Sequence, residues 1–376
     1  MGVQLAVSSA TQRVLAVIKK LRVVIIAIVI VLLIIGSLLI YSGSWPPLVV
    51  VESSSMQHSN TTSYIGVIDT GDLVIQKKIG SMGEVTPYLN AYASAYAKGF
   101  SAGSEYMTYG EYGDIVIYRP LGSTSRTPII HRAVCLVHFN DTGHSFDIPV
   151  LKDIPSSMWS VSSGPKTWYD LTSTVTLTNI GYNHVSVNIN LGAIIAAYDN
   201  QRAHDPSFTL VDGLITLGDN NNGMIDQGTS SYWSPVKLEW IDGVARSEIP
   251  WFGLLKLWIS GPTPTSVPEN SKTDLFVAIG LIIGVPILID VLGYVLERKG
   301  IDFWGGVRRK LHLSKKEQSE EKTEGASATE VKEEQPPRPP KKEEEPKTAK
   351  KSQQQPPEGK AQQGKHKGKS KKKSKR

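Results

Sequence analysis

Residues 128–139 read PIIHRAVCLVHF, an apolar run rich in Val and Ile that carries an adjacent imidazole and guanidinium, His131 and Arg132. β-branched side chains lose rotamer freedom in a helix and pack well on a pleated surface, so a run of this length between turn residues predicts a strand. The signature recurs on both sides, in DLVIQKKI (72–79), DIVIYRP (114–120), TVTLTNI (174–180), HVSVNIN (184–190), GLITL (213–217) and PVKLEWI (235–241). Gly-Asp, Asn-Asp-Thr-Gly and Asp-Asn-Asn-Asn-Gly punctuate these runs as turns. No sustained helical period interrupts them, so a mainly β region is expected over residues 42–273. Two stretches read as insertions: residues 80–110, rich in Gly, Ser, Ala and Tyr, as a loop, and residues 138–206 as an excursion with strands of its own.

The flanks belong to a different solvent. LRVVIIAIVIVLLIIGSLLIY (21–41) holds no charge after Arg22. About 20 helical residues at about 1.5 Å each cover the roughly 30 Å hydrocarbon core of a bilayer. A cleavable leader has a shorter apolar region ending in a small-x-small site. This run passes instead into Tyr-Ser-Gly-Ser-Trp-Pro-Pro, which reads as an anchor. LFVAIGLIIGVPILIDVLGYVL (275–296) is a second span, with Pro286 and Asp290 as boundary or structural features. Arg13, Lys19, Lys20 and Arg22 precede the first span, and Arg298, Lys299, Arg308, Arg309 and Lys310 follow the second. The positive-inside rule then predicts a multi-pass protein of the cell membrane with both termini cytoplasmic and residues 42–273 outside. Residues 1–20 form the inner N-terminus and residues 297–376 a charged tail.

That tail is built from Lys, Glu, Gln, Pro, Ser and Gly, too little apolar surface to offset chain entropy, and is expected to be disordered. Its basic end, GKHKGKSKKKSKR (364–376), reads as solvated or in contact with anionic lipid. The single cysteine, Cys135, excludes a disulfide framework and a Cys-rich zinc module.

The outer region also carries the residue types of acyl-transfer chemistry. Four segments hold them in order: VVVESSSMQHS (49–59), DTGDLVIQKK (69–78), EYGDIVIYRP (111–120) with PIIHRAV (128–134), and LITLGDNNNGMIDQ (214–227). A serine hydroxyl is a weak nucleophile until a base takes its proton, and imidazole titrates in the right range. A carboxylate then fixes the imidazole tautomer. Ser55, His131 and either Asp219 or Asp226 supply such a set, with the Ser55 backbone N–H as a natural oxyanion donor. His58 is a rival base, disfavoured because His131 stands on a strand. Taken one at a time, Ser55 is an ordinary turn serine, His131 a satisfied structural histidine and Asp219 an Asx-turn residue; only their joint occurrence favours chemistry. The Asp219–Asp226 loop fails the calcium-loop spacing. His138 and His144, near Asp141 and Asp147, read as a solvated loop. No phosphate loop or dinucleotide fingerprint is present, so neither a metal, a cofactor nor a nucleic-acid partner is expected.

These four segments, spread over Val49–Gly253, resemble the boxes of type I signal peptidases of the archaeal and endoplasmic-reticulum branch. Ser-Met beyond an anchor resembles the nucleophile box, the two Gly-Asp strands the middle boxes, Ile-Ile-His-Arg the box that carries the base, and Gly-Asp-Asn-Asn with a later Asp the acidic box. The resemblance implies an antiparallel β fold, a Ser55 nucleophile, a His131 base, Asp226 as the acid of the triad with Asp219 also important, and Ser53 as an oxyanion helper. It implies a membrane-bound serine endopeptidase that removes signal peptides, with precursor proteins, lipid and the secretion translocon as partners. One departure stands out: where that family has Ser-Met-x-Pro, this chain has His58, which removes a rigid φ constraint. The competing expectation is a non-catalytic envelope or assembly protein with an anchored β ectodomain. Asn60 and Asn140 head glycosylation sequons, and a glycan on Asn60 would crowd Ser55.

Overall fold

A computed structural model describes residues 9–228, 232–260 and 266–300. In chain order these form α1 (Ser9–Ser42), β1 (Leu48–Val50), β2 (Leu73–Lys77), α2 (Tyr88–Ala97), β3 (Met107–Thr108), β4 (Glu111–Tyr112), β5 (Ile115–Tyr118), β6 (Ile129–Asn140) and β7 (Ser145–Asp147). They continue with β8 (Trp159–Val161), β9 (Thr174–Ile180), β10 (Val185–Asn190), α3 (Leu191–His204), β11 (Gly213–Leu217), β12 (Ile241–Ile249), α4 (Gly253–Ser260) and α5 (Ser271–Arg298). The chain divides into a unit of residues 1–292, which holds every sheet, and one of residues 293–376, whose described part is the end of α5.

The main sheet is antiparallel in the order β1-β2-β12-β5-β6-β11. β6 is its spine. Its first half lies between β5 and β11, with Val116 opposite His131, and its second half runs on into a hairpin with β7. A second antiparallel sheet, β10-β9-β8, comes wholly from the 138–206 insertion. Val175, Leu177, Val187 and Ile189 of that sheet share one apolar core with Val137 and Phe146 of the β6–β7 hairpin and with Leu217 and Ile225 of the acidic segment. The insertion is therefore built into the core.

Six of the seven expected strands form. PVKLEWI is the exception: only Val236 bridges to Leu214, residues 238–240 form a 3-10 turn, and the strand begins at Ile241. The expected loop 80–110 contains helix α2, with Leu89, Ala91, Ala93 and Ala95 buried. The insertion 138–206 ends in helix α3, which buries Leu191, Ile194, Ile195 and Tyr198 and is capped by the Asn190 side chain. These four follow a helical period, so the expectation of no helix in this region was wrong on local pattern. Residues 250–259, PWFGLLKLWI, follow the end of β12. They turn at Trp251 and enter α4, which buries Leu254 and Leu257 and exposes Leu255, Trp258 and Ile259.

Residues Ile25–Ser42 of α1 and helix α5 are each long and apolar enough to cross a membrane, and only 6% of either stretch is buried. A core helix of a soluble protein would instead be covered. The lower end of α1 joins the sheet directly, since Lys78 N–H donates to the Ser42 carbonyl (2.7 Å) and Lys77 lies over the Tyr41 ring. The start of α5 is held by the loop after the nucleophile segment: Ser63 N–H donates to Asn270 Oδ1 (2.7 Å), and Asn270 Nδ2 donates back to the Ser63 carbonyl (3.0 Å). Residues 301–376, which include most of the expected tail and its basic end, lie outside the described residues, as do residues 1–8.

Candidate active site

Val51 extends the edge of the sheet past β1: its N–H donates to the Asp72 carbonyl (3.0 Å) and its carbonyl accepts from Gly71 (2.9 Å). The chain then turns, with Gln57 N–H bonded to the Ser54 carbonyl (3.1 Å), and Ser55 lies within this turn. Met56 is the apolar anchor of the turn. It is fully buried among Val51, Ile68, Val74, Ile115, Ile117, Ile130 and Ala245, which is worth about 2 kcal/mol relative to exposure. Asn220 holds the other side, its N–H donating to the Ser55 carbonyl (2.8 Å) and its Nδ2 to the Ser54 carbonyl (3.0 Å).

Ser55 Oγ lies 2.8 Å from His131 Nε2, and His131 Nδ1 lies 2.7 Å from Asp226 Oδ2. The carboxylate accepts from Nδ1–H, so the hydrogen-bond network assigns the Nε2 lone pair to the serine hydroxyl. Two further hydroxyls donate to the same oxygen of Asp226, Tyr118 from β5 (2.8 Å) and Thr216 from β11 (2.6 Å). Gln227 completes the arrangement by donating to Thr216 Oγ1 (2.9 Å) and accepting from Thr216 N–H (2.9 Å). Burial opposes charge on Asp226, but the imidazole and the three donated bonds outweigh it and hold the carboxyl below its ordinary range. Burial also pushes the Tyr118 phenol well up, so it stays a donor.

Of the two acids the sequence left open, Asp226 is the one that meets His131. Asp219 faces elsewhere. Arg132, the neighbour of His131 on β6, clamps it with Nε to Oδ1 (2.8 Å) and Nη2 to Oδ2 (2.7 Å). His58 also reaches Asp219 Oδ2 (3.0 Å), so the rival base is engaged with an acid while His131 holds the serine. The third guanidinium nitrogen of Arg132, Nη1, lies among the carbonyls of Thr108, Glu111, Tyr112 and Gly113, which share its two N–H groups at 3.0–3.2 Å. Burial disfavours the Asp219 charge, yet the fixed guanidinium beside it brings the carboxyl down to about 2.

Ser53 Oγ lies 3.2 Å from Ser55 Oγ. Among the described residues the Ser55 N–H has no acceptor. The cleft encloses about 390 Å³ and is lined by Val50, Val51, Met56, Ile129 and Ile130 on its apolar side and by Glu52, Ser53, Ser55, Thr127, His131 and Tyr232 elsewhere. Gly218 packs against both the Ser55 turn and the His131 ring. A Cβ there would fall 2.7 Å from the Ser55 carbonyl and 2.8 Å from His131 Nε2, so no larger residue fits between base and nucleophile turn.

Both Gly-Asp acids are braces. Asp72 accepts from Asp69 N–H (2.7 Å) and Trp251 N–H (2.8 Å), while Asp114 accepts from Thr86 N–H, the Tyr106 hydroxyl and Arg246. His138 pairs with Asp212 and His144 with Asp199, so the two histidines do not converge. No group of three or more ligating side chains able to hold a metal occurs among the described residues. Asn60 is exposed and its Oδ1 accepts from Gln57 (3.0 Å), whereas Asn140 Oδ1 accepts from Gly143 N–H (3.0 Å). Sequence reasoning missed Tyr118, Thr216, Arg132, Asn220 and Gly218. Tyr118 left a trace, since a tyrosine closing a strand with the buried run IVIY needs a partner for its hydroxyl.

Comparison with known proteins finds no matching protein family, no matching curated protein and no matching solved structure.

Asp219 gives a pH dependence with a definite sign. Its folded pKa lies below the unfolded value near 3.9, so its contribution is present above pH 4 and is lost as pH falls toward 2. That contribution amounts to about 2 kcal/mol. Asp219→Asn should flatten the acid limb of a stability-against-pH curve over this window while lowering stability at neutral pH, because Arg132 loses its counter-charge. An acid limb identical to wild type in denaturant unfolding from pH 5 to 2 would contradict the assignment.

Proposed function

We propose that this chain is a membrane-anchored serine endopeptidase that removes N-terminal signal peptides from secreted and membrane precursors. The observation that carries the reading is the unbroken hydrogen-bonded path from Ser55 through His131 to Asp226 at the side of an open cleft. In a path of this kind His131 Nε2 takes the hydroxyl proton as Ser55 Oγ attacks a peptide carbonyl. The tetrahedral oxyanion is met by the Ser55 N–H, with the Ser53 hydroxyl close by as a second donor. Collapse expels the amine, which leaves with the proton from His131, and an ester remains on Ser55. Water, deprotonated by the same imidazole, then releases the acyl part. Asp226 remains ionised throughout, keeping the tautomer and stabilising the imidazolium.

Three features support a signal peptide as substrate over a soluble one. One side of the cleft is apolar, formed by Val50, Val51, Ile129 and Ile130, a lining suited to the uncharged side chains beside a leader's scissile bond. The segment that holds the nucleophile follows α1 by a few residues, so enzyme and a membrane-inserted leader share one plane and meet at raised effective concentration. Leu255, Trp258 and Ile259 of α4 project beside the start of α5, where Trp258 stacks near Phe276, an apolar and aromatic face suited to the lipid interface. The folded region is attached to the C-terminal end of α1 and to the N-terminal end of α5, which fits a single extracytoplasmic position with both chain ends cytoplasmic.

Purified full-length protein incubated with a precursor should release the leader. Ser55→Ala and His131→Ala should each lower kcat by at least about 10⁴-fold, and Asp226→Ala by a comparable or somewhat smaller factor. Cleavage by Ser55→Ala at the wild-type rate would remove the proposal. For sidedness, a Cys135→Ser background with Ser370→Cys should resist an impermeant maleimide in intact cells and react after lysis; labelling from outside would contradict the cytoplasmic tail.

A further inference from the structure

The inserted sheet meets the nucleophile turn at one side chain. Tyr182 occupies the β9–β10 turn, residues 181–184, closed by His184 N–H on the Gly181 carbonyl (2.9 Å). Its ring stacks on His58 with centroids 4.0 Å apart and planes 11° from parallel. Its hydroxyl donates to the His58 carbonyl at 2.6 Å. His58 is thereby held at several points: one ring face by Tyr182, the carbonyl by the same residue, Nε2 by Asp219 (3.0 Å), and Cε1 near Gly110, where an added Cβ would come within 3.1 Å. His58 stands three residues after Ser55 and two after the buried Met56. A second contact of the same hairpin lies on the acidic loop. Gly223, at φ +78°, passes so close to the Ser186 carbonyl of β10 that no Cβ fits between them.

The three-stranded insertion thus touches both segments that must converge on His131, and it shares an apolar core with Ile225, the residue before Asp226. Met56 anchors the Ser55 turn in the core and Asn220 holds its flank, while Tyr182 and Asp219 fix His58, which follows the turn. We infer that Tyr182 is a positioning residue for Ser55, acting through His58, and that the insertion's role in the chemistry is to set the geometry of the nucleophile turn. This rests on the serine-peptidase reading of the site.

The test is steady-state cleavage of a precursor by full-length wild type, Tyr182→Phe, Tyr182→Ala, His58→Ala and the Tyr182→Ala/His58→Ala double variant, with thermal midpoints measured alongside. Tyr182→Phe keeps the stack and loses one hydrogen bond, and should lower kcat about 5-fold with KM unchanged. Tyr182→Ala should lower kcat about 50-fold, again with little change in KM, since substrate is bound by the cleft and not by this pair. The double variant should be no worse than the poorer single variant, because both substitutions break one linkage. Wild-type kcat in both Tyr182 variants, or losses that multiply in the double variant, would overturn the inference, as would a kcat loss that merely follows the fraction unfolded. Ser55→Ala separates the two levels of the account. If it is inactive while Tyr182→Ala is fully active, this inference alone fails; if it is active, the peptidase reading fails and this inference with it.

Discussion

Successive residues of a strand point to opposite faces, and the candidate site is organised around that period at His131 and Arg132 of β6. One face presents an imidazole and the other a guanidinium. Each is matched by an acid from the same loop, Asp226 for His131 and Asp219 for Arg132. The two acids are seven positions apart, enough for the loop after β11 to straddle the strand and bring one carboxylate to either side. Asn220, the residue after Asp219, carries two bonds to the nucleophile turn. The clamp on Arg132 therefore positions the serine as well as the acid. Moving either charged residue one place along β6 would reverse the faces and separate the set.

The burial of these groups gives the pairing its force. An uncompensated carboxylate in such surroundings would be forced up in pKa, as happens to Asp72 in its brace, pushed by burial to about 7. Asp219 goes the other way because the Arg132 guanidinium faces it, and Asp226 because the His131 ring and two hydroxyls donate to it at hydrogen-bond distance. The same low-dielectric setting makes Tyr118, Thr216 and Gln227 more than spectators. Tyr118 and Thr216 share Asp226 Oδ2 with the imidazole, and Gln227 fixes Thr216 in turn, which holds the carboxylate in one orientation towards His131.

Much of this was legible in the sequence, and the failures have physical reasons. β-branched runs bounded by Gly and Asp marked six strands, because pleated packing and turn chemistry are local. The helical elements were missed for different causes. The stretch around α2 reads as a loop from its Gly, Ser, Ala and Tyr content, yet the helix propensity of alanine in YLNAYASAYA decides for a helix, which buries Leu89, Ala91, Ala93 and Ala95. In α3 the spacing of Leu191, Ile194, Ile195 and Tyr198 was present and simply outweighed by the polar residues around it. Ser55, His131 and the two acids stood out by residue type and order. Their assignment to one another did not, since which carboxylate reaches the imidazole depends on a loop wrapping a strand, a long-range fact. The same holds for His58: its partner Tyr182 lies in another sheet, over a hundred residues away.

Ser55 stands thirteen positions after the end of α1, and the proposed reading joins the apolar helices and the site in one design, since a serine so placed would meet chains that cross the bilayer beside it. The central claim is that a covalent ester forms on Ser55, and it is open to direct observation. Wild-type protein mixed with a precursor or a short peptide ester, quenched in acid within the first turnover and digested, should yield the segment containing Ser55 carrying the mass of the acyl group, and no such adduct in the His131→Ala variant. An adduct on any other residue, or full product release with Ser55 unmodified at every quench time, would contradict the account.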